Sequence, residues 1–89
     1  MTKTIIKTES GSVYELEEHL FHGQVIKRNG NKMRGYIWPT KLARGVNFNE
    51  KGHLQYLEDD FKEGKYLLIW DSDEMKFMNS NKVISVMKE

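Results

Sequence analysis

At 89 residues the chain has room for one domain, residues 1–89, which buries roughly 60% of the surface its unfolded form exposes, so any site lies on or between a few short elements. It contains no cysteine, which excludes a disulfide framework and a thiolate metal centre, and a 30% charged composition with four Phe, four Tyr and two Trp argues for a folded globule over a disordered chain. The formal net charge of +1 conceals an uneven distribution. Residues 1–18 carry two lysines against four glutamates, residues 19–49 carry six cations and no carboxylate, and residues 50–89 carry six lysines against nine acids. The basic middle, which holds all three arginines, points to an anionic partner unless folding lays acidic strands beside it.

In chain order, the opening MTKTIIKTESGS has only a two-residue apolar patch, far short of a signal-peptide core, and no later apolar run approaches the ~20 residues of a membrane helix. An intracellular, cytoplasmic location and no membrane partner are the expectation. TIIKT (residues 4–8) and SVYEL (12–16) are rich in β-branched and aromatic residues and flank Ser10-Gly11, which reads as a turn. GQVIKR (23–28) and MRGYIW (33–38) flank Asn29-Gly30, a strong hairpin signal because both residues tolerate the positive φ of a tight turn. Pro39 cannot donate to a ladder and marks the end of that strand. VNF (46–48) and HLQYL (53–57) form a further hairpin across NEKG, with Val46 and Phe48 facing Leu54 and Tyr56. A helix competes between residues 53 and 63, because Leu54, Leu57 and Phe61 recur at helical spacing and Gly64 suits a helix end. KYLLIW (65–70) is apolar at five consecutive positions, the pattern of a strand buried on both faces. DSDE turns the chain, MKFM (75–78) pairs back, NSN turns it again and KVISVM (82–87) closes the fold. Seven or so short antiparallel strands at this spacing predict an all-β domain, a small SH3-like barrel whose closure removes exposed edges.

Motifs that would carry catalysis or cofactor binding do not complete. GNKMRGYI has the glycine spacing of a phosphate loop, but Tyr36-Ile37 stands where the lysine and hydroxyl belong, and a strand follows. His19 and His22 share a face only on a helix, and no further ligand completes a metal set. DSDEMKF begins like a calcium loop, yet Met75 occupies a ligand position and the glycine and distal glutamate are missing. The serines lack a neighbouring histidine or a nucleophile elbow. No cofactor, no metal and no enzymatic activity are expected.

Two patches remain. Arg28, Lys32 and Arg34 with Tyr36 and Trp38 combine cations for phosphates with rings for base stacking, and on one continuous strand Arg34, Tyr36 and Trp38 share a face. The same residue types also suit a protein-docking surface, or a core tryptophan with a cationic rim. Glu58, Asp59 and Asp60 form a second, acidic patch, which reads as a solvated face more readily than as paired catalytic carboxylates.

Taken together, TESGSVYEL, the basic KR about a dozen residues on, HLQYL, EGKYLLIW and the closing NSNKVISVM resemble a group of small uncharacterised β-barrel proteins encoded by bacteriophages and prophages. Members of that group open on T-x-S-G-S-x-Y and carry G-x-x-L-x-I-W before a final T-S-x-V-x-x-I strand. Here the closing hydroxyl cluster is Asn79-Ser80-Asn81, and residues 33–45 depart from the pattern. The resemblance implies a non-catalytic accessory protein that binds a host protein stoichiometrically, as an inhibitor of an anti-phage defence such as a CRISPR effector. In that role Glu15, Glu17, Glu18, Glu58, Asp59, Asp60, Asp71, Asp73 and Glu74 offer carboxylates that imitate nucleic-acid phosphates. A nucleic-acid-binding barrel using residues 27–38, or a virion component, are the alternatives.

Overall fold

The computed structural model describes residues 2–19, 23–45 and 48–89. Eight strands form two antiparallel sheets, with no helix among the described residues. β1 (Thr2–Thr8), β2 (Val13–His19), β3 (Gly23–Arg28), β4 (Asn31–Met33) and β8 (Val83–Lys88) make a five-stranded sheet in the order β4-β3-β2-β1-β8. β5 (Gly35–Thr40), β6 (Tyr66–Asp71) and β7 (Lys76–Asn79) make a three-stranded sheet with β6 at its centre.

Local chemistry explains the hairpins. Asn29 and Gly30 take φ of 52° and 84° between β3 and β4, the left-handed pair that a tight hairpin needs, and the Asn29 carboxamide accepts from Val13 N–H at 2.8 Å, pinning the turn to β2. Between β1 and β2, Gly11 N–H donates to the Thr8 carbonyl and Thr8 N–H to that of Ser12, both at 3.0 Å. After β6, the Asp71 carboxylate accepts from Asp73 and Glu74 N–H at 3.0 and 3.1 Å, so the segment that resembles the start of a calcium loop spends its first ligand on building a turn.

Ile6, Tyr14, Leu16, Ile26 and Val83 of the larger sheet meet Ile37, Leu67 and Ile69 of the smaller in one buried cluster, with Met33, Phe61, Met78 and Val86 packed against it. The alternation in β2 follows: Tyr14 and Leu16 are buried while Val13, Glu15 and Glu17 stay half-exposed. β6 is buried on both faces, as its unbroken apolar run predicts. Leu67 and Ile69 point into the core, while Leu68 lies on the opposite face at 3% exposure, where the 41–57 connection is tied down by the Asn79 amide donating to the Leu42 carbonyl.

Three expectations are corrected. The stretch 33–38 is not one strand: pairing stops at Arg34, β4 belonging to the larger sheet and β5 to the smaller, with Gly35 at φ 155° between them. Pro39 does not end the strand, because β5 is an edge and the missing N–H withdraws nothing from β6; Pro39 pairs with Leu67 and β5 runs on to Thr40. No helix forms between 53 and 63. Asn49 organises a turn instead, its side chain accepting from Lys51 and His53 N–H at 2.9 Å each, and a single antiparallel bridge joins Phe48 to Leu54. Tyr56 then turns at φ 61°, and Lys41 N–H and the Thr40 hydroxyl both donate to its carbonyl at 2.8 Å; Val46, the other expected member of that hairpin, lies outside the described residues. The expected all-β, barrel-like small fold is present, its strands divided between the two sheets. Val83 joins them by donating to the Lys65 carbonyl and accepting from Gly64 N–H, both at 2.8 Å.

The β5 edge is covered by a side chain and by the following connection. The Gln24 carboxamide lies along β5, accepting from Ile37 N–H at 2.9 Å and donating to the Ile37 carbonyl at 3.0 Å, as a neighbouring strand would. Glu58 N–H takes the Pro39 carbonyl at 3.0 Å. Gln24→Ala is therefore expected to destabilise the fold by about 1–3 kcal/mol, because it strands a backbone donor and acceptor together. A lowered urea midpoint at unchanged slope checks this; an unchanged midpoint contradicts it.

Candidate functional site

The register places the aromatic residues. Tyr36 stands opposite Trp70, Trp38 opposite Leu68, and Trp70 opposite Phe77, so all four rings share the outer face of the three-stranded sheet. Tyr36 and Trp38 rings lie 4.6 Å apart, and Trp70 and Phe77 rings 4.8 Å. Trp38 is 6.2 Å from Phe77, and Phe48 reaches over from the 41–57 connection to meet Phe77 edge-on at 5.9 Å. The set is continuous and incompletely covered: Tyr36 is 39% exposed and Phe48 49%, with Tyr56 exposed nearby in the chain. Its rings sit outside the main core, so their burial is unfinished business for the isolated chain.

The predicted basic-aromatic patch is divided. Tyr36 and Trp38 belong to this face, but Lys32 pairs with Lys27 on the outer face of the larger sheet. Arg28 lies opposite Tyr14, whose phenol is pushed above its ordinary value by burial and pulled back by the adjacent guanidinium and by hydrogen bonds from Arg28 and Ser12. Arg28 and Lys32 border a depression of about 210 Å³ shared with Asp71 and Asp73, and Arg34, in the break between sheets, reaches Asp73 at 4.0 Å. Lys76, in the strand after that turn, pairs with Glu74 at 2.6 Å, which holds its ammonium above the ordinary value. Three cations of the middle segment, Arg28, Lys32 and Arg34, thus stand near the acids of the 71–74 turn, a proximity that composition along the chain leaves hidden.

The acidic patch is divided as well. The Glu58 carboxylate is shared by Lys62 and Lys65 at 3.7 Å each. Asp60 binds the Lys88 ammonium and accepts from Phe61 N–H at 2.8 Å, while Asp59 is exposed without an ion pair among the described residues. Asp59 and Asp60 line a groove of about 230 Å³ beside Tyr36, Trp38, Glu18 and Phe61, so residues that form two separate patches in the sequence meet across the β5 edge.

The Lys88 hydrogen bond, then the Phe61 N–H, holds the Asp60 carboxyl below its ordinary value of 3.8. A carboxyl depressed in the folded state stabilises above its unfolded-state value and loses that contribution as pH falls through the folded one. Asp60→Asn is expected to lower stability by at most about 1 kcal/mol near neutral pH, since the pair is half-exposed, and to narrow its gap from the parent below pH ~3.8. Urea titrations at pH 7 and pH 3 check both signs.

Among the described residues no three His, Asp or Glu side chains converge on a cation position, and His22 lies outside them. Trp70, Phe77 and Phe48 were not in the predicted patch. The signal for Trp70 and Phe77 is parity, since Tyr36, Trp38, Trp70 and Phe77 are alternating positions of adjacent strands, recognisable only once the β5-β6-β7 register is known; Phe48, in the connection, has no such signal. The chain matches no protein-family model, no curated protein and no solved structure.

Proposed function

We propose that this chain is a non-catalytic binding module that engages a protein through the aromatic outer face of its three-stranded sheet. The observation that carries this reading is the continuous set Tyr36, Trp38, Trp70, Phe77 and Phe48, with two of its rings left well exposed. Tyr and Trp concentrate binding energy at protein interfaces because each adds a large rigid contact area at small entropic loss. The distribution of charge supports a protein over a nucleic acid: Arg28, Lys32 and Arg34 lie beside Asp71 and Asp73 instead of flanking the rings. The resemblance to phage and prophage barrels makes a host protein, such as a component of an anti-phage defence, the partner class to search first.

The test compares the parent with Tyr36→Ala/Phe48→Ala, two exposed positions whose truncation leaves the buried core intact. The parent should retain a bacterial protein at roughly 200 mM salt, and the variant at least about tenfold less of it. Equal retention by both excludes the face. In parallel, anisotropy titrations against single- and double-stranded DNA and RNA at roughly 50 and 200 mM salt read the phosphate term. Tight binding that collapses at the higher salt and is lost in the ring variant would assign the face to base stacking instead.

A further inference from the structure

The groove beside β5 combines two recognition elements in one small volume. Tyr36 and Trp38, whose ring centroids lie 4.6 Å apart, line it on the β5 side. The rim carries Glu18, Asp59 and Asp60, of which Asp60 is engaged by Lys88, while Glu18 and Asp59 are exposed and without an ion pair among the described residues. A ring face attracts a cation through its quadrupole, and a free carboxylate beside it adds charge and a hydrogen-bond acceptor. The same carboxylates repel phosphate, so the groove selects against a nucleic acid.

The backbone narrows the choice further. Ile37 N–H and carbonyl are both taken by Gln24, and the Pro39 carbonyl by Glu58 N–H. An incoming strand therefore finds no free ladder along the middle of β5, and recognition here runs through side chains. At about 230 Å³ the groove is smaller than the ~300–1,000 Å³ of typical small-molecule pockets and suits one inserted side chain. A planar guanidinium satisfies both elements at once, stacking on a ring while its N–H fork meets a carboxylate, whereas a lysine ammonium satisfies them only as a point charge.

We propose that this groove receives an arginine side chain from a basic segment of the partner protein. The proposal deepens the aromatic-face reading and rests on it for the partner being a protein. It makes the exposed carboxylates Glu18 and Asp59 specificity determinants, and the β5 edge the place where the apolar contact and the charged contact meet.

The test is a titration of the 15N-labelled chain with a blocked tetrapeptide, acetyl-Gly-Arg-Gly-Gly-amide, against its citrulline counterpart, in which a neutral urea replaces the guanidinium. The Trp38 indole and Asp59 amide signals should move with the arginine peptide and not with citrulline. Glu18→Gln/Asp59→Asn should weaken the arginine response at least about fivefold while signal dispersion stays that of a folded chain. Equal responses to both peptides, no response at the groove, or an unaltered response in the double variant would each overturn the assignment. Failure here is distinguishable from failure of the parent reading. Phe48 does not line the groove, so a partner whose capture falls with Phe48→Ala and is indifferent to Glu18→Gln/Asp59→Asn leaves the aromatic face standing and removes only the arginine.

Discussion

Gly35→Ala is expected to remove about 3 kcal/mol or more of folding free energy, which is a large share of the ~5–15 kcal/mol available to a domain. Gly35 sits where the chain leaves the larger sheet for the smaller, at φ 155°, a conformation open to glycine and strained for any L side chain. Space is the second obstacle. A methyl group there would stand 1.8 Å from the Trp70 carbonyl oxygen and 3.0 Å from its carbon, both backbone atoms of the strand paired with β5. Relief requires β5 to move off β6, which pulls on the Tyr36–Trp70 pair and on the 2.9 Å bond from Ser72 N–H to the Arg34 carbonyl. Gly30→Ala is the matched control: φ is 84°, nothing lies within 4 Å of the added carbon, and the loss should be about 1 kcal/mol. Urea unfolding of the pair decides the matter. A Gly35 variant no less stable than the Gly30 variant would mean that the sheet crossing does not depend on close backbone approach.

Ile69→Ala should cost about 2–5 kcal/mol. Ile69 is fully buried at the centre of β6, opposite Ile37 on one side and Met78 on the other, and its side chain belongs to the cluster that joins the two sheets. Because β6 is paired on both sides, the surrounding ladders resist collapse into the vacated volume, and the cavity term adds to the lost transfer energy. Ile84→Ala, at 53% exposure on β8, should change stability by no more than about 0.5 kcal/mol. The functional consequence runs through the same strand: Leu68 and Trp70 flank Ile69 on the outer face, so the aromatic surface is lost when β6 unfolds although none of its rings is substituted. Ile69→Ala is thus expected to weaken partner capture only where it unfolds the chain, and capture at low temperature, where the variant is mostly folded, should approach that of the parent.

Most of the strands were legible because their signals are local. Asn29-Gly30, Ser10-Gly11 and the unbroken YLLIW run act within a few residues, through allowed φ values and through hydrophobicity, and each element they mark is present. Residues 53–63 misled in one of two readings because the spacing of Leu54, Leu57 and Phe61 is compatible with a helix; the bridge from Leu57 to Thr40 and the turn at Tyr56 outweigh that periodicity. Pro39 reads as a terminator because its cost depends on whether the strand is central or at an edge, which the residue itself does not encode.

The candidate site divides in the same way. Tyr36 and Trp38 were legible as unusual residues, and the acids at 58–60 as a patch, because composition marks both. Only the tertiary structure decided that Arg34 falls in a break, that Arg28 and Lys32 border a depression with Asp71 and Asp73, and that Trp70, Phe77 and Phe48 join Tyr36 and Trp38. By itself the amino-acid sequence determined an all-β chain with the β1-β2 and β3-β4 turns in place, since backbone preference and apolar patterning are properties of neighbours. Which outward-facing side chains share a surface, and which charges cancel, depends on register and on the sheet to which each strand belongs; residues tens of positions apart set those, by packing onto one core.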